Sequence, residues 1–371
     1  MTLAYAFALF ALSLLAALRA PEYHLWMASI IATEWGHVLA ILSLLPLMRG
    51  WKGGRLAAAL LSISAFLFLT PLIRSWSVAA VLPHDLEAAF GPSNVSSTPL
   101  SLKNLLTGVP IGPTRQTTFI YARSCGESLS LELYRPPQDA KPLPLVVVIH
   151  GGSWQSGSRL EFGELSRYLA ARGYAVASVD YGLAPRSIFP GPVEDVRDAL
   201  VFLRRHAAEY SLDASQIVLL GRSAGGQIAL AAAHDPEPLP GLKGVIVFYG
   251  PNDMPFSWSF PGPKRIIDTR KLLRQYLGGS PVEQPERLIA ASPLLRAGAY
   301  SPPTLMIHGE RDELVMPIHE DRLSKKLKMA GVPHYYLSMP WATHGCDYNF
   351  SGPCGQLSTY AVERFLGFAF R

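Results

Sequence analysis

Five residues near the middle of the chain, Gly221-Arg222-Ser223-Ala224-Gly225, leave the backbone few options. They follow an apolar run at 216–220 and precede a small-residue helical pattern at 227–233. A strand that gives way to a helix within so few residues needs a sharp bend, and glycines flanking Ser223 tolerate the backbone angles and close approaches it imposes. The bend lifts the serine oxygen clear of the main chain, while the helix N-terminus behind it favours negative charge. Ser223 is therefore the candidate nucleophile. The N–H of Ala224, the next residue, is a candidate donor to an oxyanion.

The chain around this turn predicts its scaffold. Two alternating segments at 117–122 and 129–134 are separated by a Ser-Cys-Gly turn, and apolar runs then follow at 145–149, 175–179, 245–248, 304–307 and 335–338. Helical patterns fall between them at 161–171, 193–209, 318–329 and 357–368. Strands apolar on both faces that take turns with helices predict an α/β domain with a mainly parallel sheet covered on both sides. No β pattern occurs at 251–299, where Phe256, Trp258 and Phe260 precede an amphipathic run. That stretch reads as an insertion capping a pocket, or as aromatics packed into the domain's own core.

A serine hydroxyl needs a base, and the base needs an acid to fix its tautomer. The run at 304–307 leads into His308-Gly309-Glu310-Arg311-Asp312-Glu313, which makes Asp312 the candidate acid, with Glu310 and Glu313 as rivals or solvated loop charges. The run at 335–338 leads into the loop of His344, the candidate base at the same sheet edge; His308, His319 and His334 read as structural or surface residues. Upstream, His150-Gly151-Gly152-Ser153-Trp154 leaves the run at 145–149. The N–H groups of Gly151 and Gly152, or Ser153 in a register one residue on, join Ala224 as the predicted oxyanion hole. His150 reads as orienting that loop, and Trp154 as a substrate-binding side chain or a core residue. Such chemistry calls for no cofactor, and the three Cys form neither a CxxC pair nor a zinc pattern. Cys346 and Cys354, eight apart, are either bridged or free thiols, with Cys125 left over.

The first ninety residues carry a different signal. Residues 1–18 and 56–73 have no charged side chain, and 25–48 have only Glu34. A bilayer core about 30 Å thick takes about 17–25 helical residues, so these runs predict three transmembrane helices within a membrane region at 1–82 and a multi-pass protein whose partner is the lipid bilayer. A cleaved signal peptide fits poorly, because no basic residue precedes the first run and Arg19 and Pro21 spoil the cleavage step. The basic loop at 49–55 predicts a cytoplasmic face there and a catalytic domain outside the cytoplasm, with Arg74 arguing weakly the other way. Glu34 and His37, three apart on one predicted helix, read as a polar clamp, a hydrated position or a proton or substrate contact. The Pro-, Gly- and Ser-rich stretch at 83–116 reads as a linker to a domain at 117–371. Composition, at 49% hydrophobic and 16% charged, excludes a disordered or coiled-coil chain. The net charge of +5 is spread without a long basic block, so nucleic acid is not a predicted partner. Nothing in the sequence sets the oligomeric state.

Five strings carry a resemblance: HGGSW at 150–154, VDYGLAPRSIFPGPVEDV at 179–196, GRSAGG at 221–226, HGERDELV at 308–315 and ATHG at 342–345. Together they resemble α/β-hydrolase-fold esterases, of the hormone-sensitive-lipase-like branch and the related feruloyl-esterase-like and carbohydrate-ester enzymes of bacteria. The resemblance implies that fold, a Ser223–His344–Asp312 triad, and cleavage of a small-molecule or lipid-associated carboxylic ester through an acyl-enzyme. Ser153 replaces the third glycine of the lipase branch, and Gly182 replaces a basic residue that there follows the tyrosine, which argues against a triglyceride lipase. An amidase or peptidase on the same triad, and a non-catalytic membrane scaffold, are the rival readings. The resemblance covers 117–371 and not 1–116.

Overall fold

A computed structural model describes residues 3–48, 54–93, 95, 97–138 and 141–371. Eight strands form one sheet: β1 (Arg115–Ser124), β2 (Glu127–Arg135), β3 (Leu143–Ile149), β4 (Ala175–Val179), β5 (Leu212–Arg222), β6 (Leu242–Phe248), β7 (Thr304–Gly309) and β8 (His334–Met339). Each strand expected from the sequence is present. Their order is β1-β2-β4-β3-β5-β6-β7-β8, with β1 and β2 antiparallel and the strands from β4 to β8 parallel.

Alternation along the central strands divides their side chains between two cores. Val147, Leu219 and Val247 point to one, under the helices Gly191–Arg205 and Ala224–Ala233. Val146, Val148, Leu220 and Ile246 point to the other, under Gly163–Ala170 and Pro353–Ala369. Both faces are thus apolar, as parallel strands covered on both sides require. The insertion at 251–299 contains only short helices, among them Met254–Ser259 and Thr269–Leu277.

The N-terminal region departs from the three-span expectation. Its helices are α1 (Leu3–Leu14), α2 (Tyr23–Glu34), α3 (Gly36–Met48) and α4 (Arg55–Phe90). Twelve residues give α1 a length of about 18 Å, well short of a bilayer core. The second run is not one rod, because α2 and α3 meet at 78°. Among the described residues, α4 alone is by itself long and apolar enough to cross a membrane, or two segments if the bent pair counts as one. The bend has identifiable causes. Glu34 ends α2 by accepting hydrogen bonds from Trp341 Nε1 (3.2 Å) and the Cys354 N–H (2.9 Å). A Cβ on Gly36 would lie 2.2 Å from the Phe68 carbonyl oxygen, so α3 starts pressed against α4 where no larger residue fits. Glu34 and His37 consequently lie on either side of a break rather than on one helix face, and His37 Nε2 donates to the Leu105 carbonyl (3.0 Å).

Small residues let these helices approach: Ala6, Ala32, Ala40, Ala57 and Ala65 are buried in one cluster with Leu61 and Phe68. The second half of α4 leaves that cluster and joins the sheet domain, burying Leu82, Leu86 and Phe90 against a core that includes Phe365. It runs through Pro83, so helix occupies the first residues of the stretch read as a linker. Of the basic loop, Arg55 begins α4, while the stretch at 49–53 lies outside the described residues.

Candidate active site

The elbow after β5 has the strain its sequence implies. Ser223 sits at φ 51°, ψ −119°, between β5 and the helix Ala224–Ala233. A Cβ on Gly221 would come within 2.1 Å of the Gly225 carbonyl oxygen, and one on Gly225 within 2.3 Å of the carbonyl oxygens of Ile149 and His150. Both glycines are set by contact with backbone, which cannot swing away. Gly225→Ala is expected to force β3 and the elbow apart, lowering stability by about 1–3 kcal/mol in thermal unfolding.

The structure brings Ser223, His344 and Asp312 together from three loops at the C-terminal edge of the sheet. His344 Nε2 lies 2.9 Å from Ser223 Oγ, and its Nδ1 lies 2.6 Å from Asp312 Oδ2. An ionised carboxylate only accepts, so Nδ1 carries the ring proton and Nε2 is left to accept from the serine hydroxyl. Asp312 Oδ1 is held by the N–H groups of Leu314 and Val315, each at 2.8 Å. Burial raises the carboxyl's pKa, but His344 and His308 outweigh burial and hold it well below the usual carboxylate range.

His308, which reads in the sequence as a structural or surface residue, is fully buried directly behind the acid. Its Nε2 donates to Asp312 Oδ2 (2.9 Å) and to the Val315 carbonyl (3.0 Å), and Glu320 Oε2 approaches Nδ1 at 2.7 Å as an ion pair. Burial disfavours the imidazolium, yet the two carboxylates prevail and push His308 up to about 10. The sign of the linkage follows: above the ordinary histidine value of 6.5 the unfolded chain releases this proton while the folded chain keeps it. Stability should fall as pH rises from 6.5 towards 10, and His308→Gln should flatten that fall in thermal melts. His319 behaves oppositely. Burial and the neighbouring charge on His308 lower it to about 3, and its neutral Nδ1 accepts from the N–H groups of Asn252 and Asp253, both at 3.2 Å.

Gly151 and Gly152 line the same cavity as Ser223. A Cβ on Gly151 would lie 3.4 Å from Ser223 Cβ, and Gly152 has φ 106°. Ala224 is the first residue of its helix, where no intrahelical acceptor is available to its N–H. The N–H groups of Gly151, Gly152 and Ala224 enter none of the backbone hydrogen bonds of turns and loops among the described residues. His150 braces this loop, stacked on Tyr181 at 4.3 Å with Nδ1 2.7 Å from the Gly151 carbonyl.

A cavity of about 430 Å³ opens in front of these groups, within the range of small-molecule sites. Trp154 borders it but is buried, stacked on Tyr276 at 4.4 Å and donating from Nε1 to Gln227 Oε1 (3.0 Å). Phe260, Ile266 and Leu273 of the 251–299 insertion line the same cavity. Phe256 instead packs edge-on to His319, and Trp258 lies under Arg270.

Several neighbours were not legible in sequence. Tyr249 packs 4.4 Å from the His344 ring, and its hydroxyl donates to Asp347. Asp347 also accepts from Arg222 Nε (2.6 Å), whose guanidinium lies over Phe162 and Phe248. The charges flanking Asp312 are not solvated. Arg311 donates to the carbonyls of Leu15, Ala16 and Leu18 just past α1, and Glu313 accepts from the Ala20 N–H (2.8 Å) and Thr343 Oγ1 (2.7 Å). Cys346 and Cys354 form a disulfide that ties the turn after His344 to the start of the helix Pro353–Ala369, and Cys125 is free and exposed. Among the described residues no group of three or more His, Cys, Asp or Glu side chains converges as a metal site requires.

Residues 131–327 match the BD-FAE family. The esterase LipC of Mycobacterium tuberculosis is 32% identical over 250 residues, covering 62% of this chain and 60% of LipC. The probable carboxylic ester hydrolase LipM of the same organism is 28% identical, covering 65% of this chain and 58% of its own. The chain thus spans less than two thirds of these relatives' length. Among solved structures, a hyperthermophilic esterase of the archaeon Pyrobaculum calidifontis superposes with a TM-score of 0.56 at 27% identity, covering 69% of this chain and 83% of that one. A bacterial heroin esterase gives a TM-score of 0.58 at 24% identity, covering 73% and 89%, a likeness of fold.

Proposed function

The chain belongs to the BD-FAE family, and from that premise we propose that it is a membrane-anchored serine carboxylesterase working through Ser223, His344 and Asp312. Its sheet is that of an α/β hydrolase. In the proposed reaction Ser223 Oγ attacks the ester carbonyl carbon as its proton passes to His344 Nε2, with Asp312 stabilising the imidazolium. The oxyanion that forms is met by the N–H groups of Gly151, Gly152 and Ala224. Collapse breaks the bond to the alcohol, which leaves with the proton from Nε2. Water then attacks the acyl-enzyme, giving its proton to the same nitrogen, and release of the acid restores the serine hydroxyl.

The observation that carries this reading is the unbroken chain from Ser223 Oγ through the His344 ring to Asp312, at 2.9 and 2.6 Å, with Ser223 and His344 lining a cavity. The anchor in this reading is α4. Its 36 residues measure about 54 Å, enough for about 20 of them to cross a bilayer core while the end carrying Leu82, Leu86 and Phe90 packs on the sheet domain. The disulfide after His344 accords with a catalytic domain outside the cytoplasm. The substrate class is a small-molecule or lipid-associated carboxylic ester. The test is turnover of p-nitrophenyl esters and the matching anilides by the purified full-length protein. Esters should be cleaved well ahead of anilides; hydrolysis of neither contradicts the reading.

A further inference from the structure

The N-terminal segment reaches the site itself. Tyr23, Trp26 and Ile30, on one face of α2, line the cavity that holds Ser223 and His344. Trp26 Nε1 donates to the His344 carbonyl (3.3 Å), and its ring lies 6.4 Å from the imidazole. Ile30 Cδ1 lies 3.7 Å from where a Cβ on Gly345 would be.

This wall is fixed to the loops that carry the triad. Before α2, Arg19 donates to the Glu310 carbonyl (2.9 Å), the Ala20 N–H is held by Glu313, and Arg311 gathers the Leu15 and Ala16 carbonyls just past α1. At its far end Glu34 is tied to Trp341 and the Cys354 N–H. Both ends of α2 therefore rest on the chain around Asp312 and His344, which holds its inner face in register with the reacting atoms. Ile266, Leu273 and Val315 line the same cavity, and α2 turns Leu25, Met27 and Ile31 to the exterior. Polar side chains, among them Ser156, Glu161 and Thr269, also border the cavity, but the stretch between α2 and Ile266, Leu273 and Val315 is mostly hydrocarbon, so an apolar chain lying there loses only water while a hydroxyl-rich one gives up hydrogen bonds.

We propose that α2 is a wall of the ester pocket and that Tyr23, Trp26 and Ile30 select esters carrying an extended apolar group, an inference that rests on the esterase reading above. The test compares kcat/KM for p-nitrophenyl octanoate and acetate in full-length wild type, Ile30→Asn, Ile30→Ala and Ile31→Asn. The octanoate-to-acetate ratio should fall at least tenfold in Ile30→Asn and about threefold in the milder Ile30→Ala, and stay at the wild-type value in Ile31→Asn on the outer face. An unchanged ratio in both Ile30 variants, or an equal fall in Ile31→Asn, overturns the inference while an active wild type keeps the esterase reading. A wild type that cleaves neither ester overturns both.

Discussion

Ser223→Ala is expected to lower kcat for ester hydrolysis by about 10⁶, the size of loss seen when a serine hydrolase loses its nucleophile. Ser223 occupies an elbow whose φ of 51° is enforced by backbone contacts at Gly221 and Gly225, and alanine fits those contacts as serine does. The variant should therefore keep its thermal stability to within about 0.5 kcal/mol, as substitutions without packing change do. Steady-state kinetics with a thermal melt on the same sample check both halves. Activity within tenfold of wild type would place the nucleophile elsewhere.

Asp312→Asn should cost about 10⁴ in kcat, through the tautomer of His344 and not through geometry. Asp312 Oδ1 is committed to the N–H groups of Leu314 and Val315, so an asparagine placed there keeps its oxygen on that side and turns its NH₂ towards His344 and His308. His308 Nε2 then keeps only the Val315 carbonyl as its acceptor, while His344 Nδ1 must accept from the amide, the proton moves to Nε2, and the nitrogen that should take the serine proton is already occupied. No rival acid is in place to compensate, because Glu313 is bound to the Ala20 N–H and Thr343, and Glu310 accepts from Ser338. The check is kcat for wild type and variant at one saturating ester concentration. A loss smaller than tenfold would mean that another carboxylate orients the base.

Much of the catalytic domain was legible because its signals are local. The eight strands announce themselves as short apolar runs, and Ser223, Gly151 and Gly152 lie in turns whose residue types are dictated by the backbone within a few positions. Asp312 and His344 follow from the ends of two strands, since a parallel sheet delivers such loops to one edge. The parts that were not legible depend on distant partners. Hydropathy counts the apolar residues of 25–48, but it does not see that Glu34 will meet Trp341 and Cys354, or that Gly36 will lie under the Phe68 carbonyl, so one expected span becomes two helices. Glu313 reads as a rival acid or a loop charge and Arg311 draws no reading, because the Ala20 N–H and the Ala16 carbonyl that hold them lie nearly three hundred residues away. His308 looked like any histidine at a strand end, and its role as a buried cation between Asp312 and Glu320 exists only once the helix Ile318–Met329 has packed.

One measurement tests the triad reading most directly: mapping the site of a fluorophosphonate adduct on the full-length protein by peptide mass spectrometry. A single phosphonylated peptide with the adduct on Ser223, absent from Ser223→Ala, is the predicted result. An adduct on a different serine, or a wild-type protein that takes up no label, would contradict it.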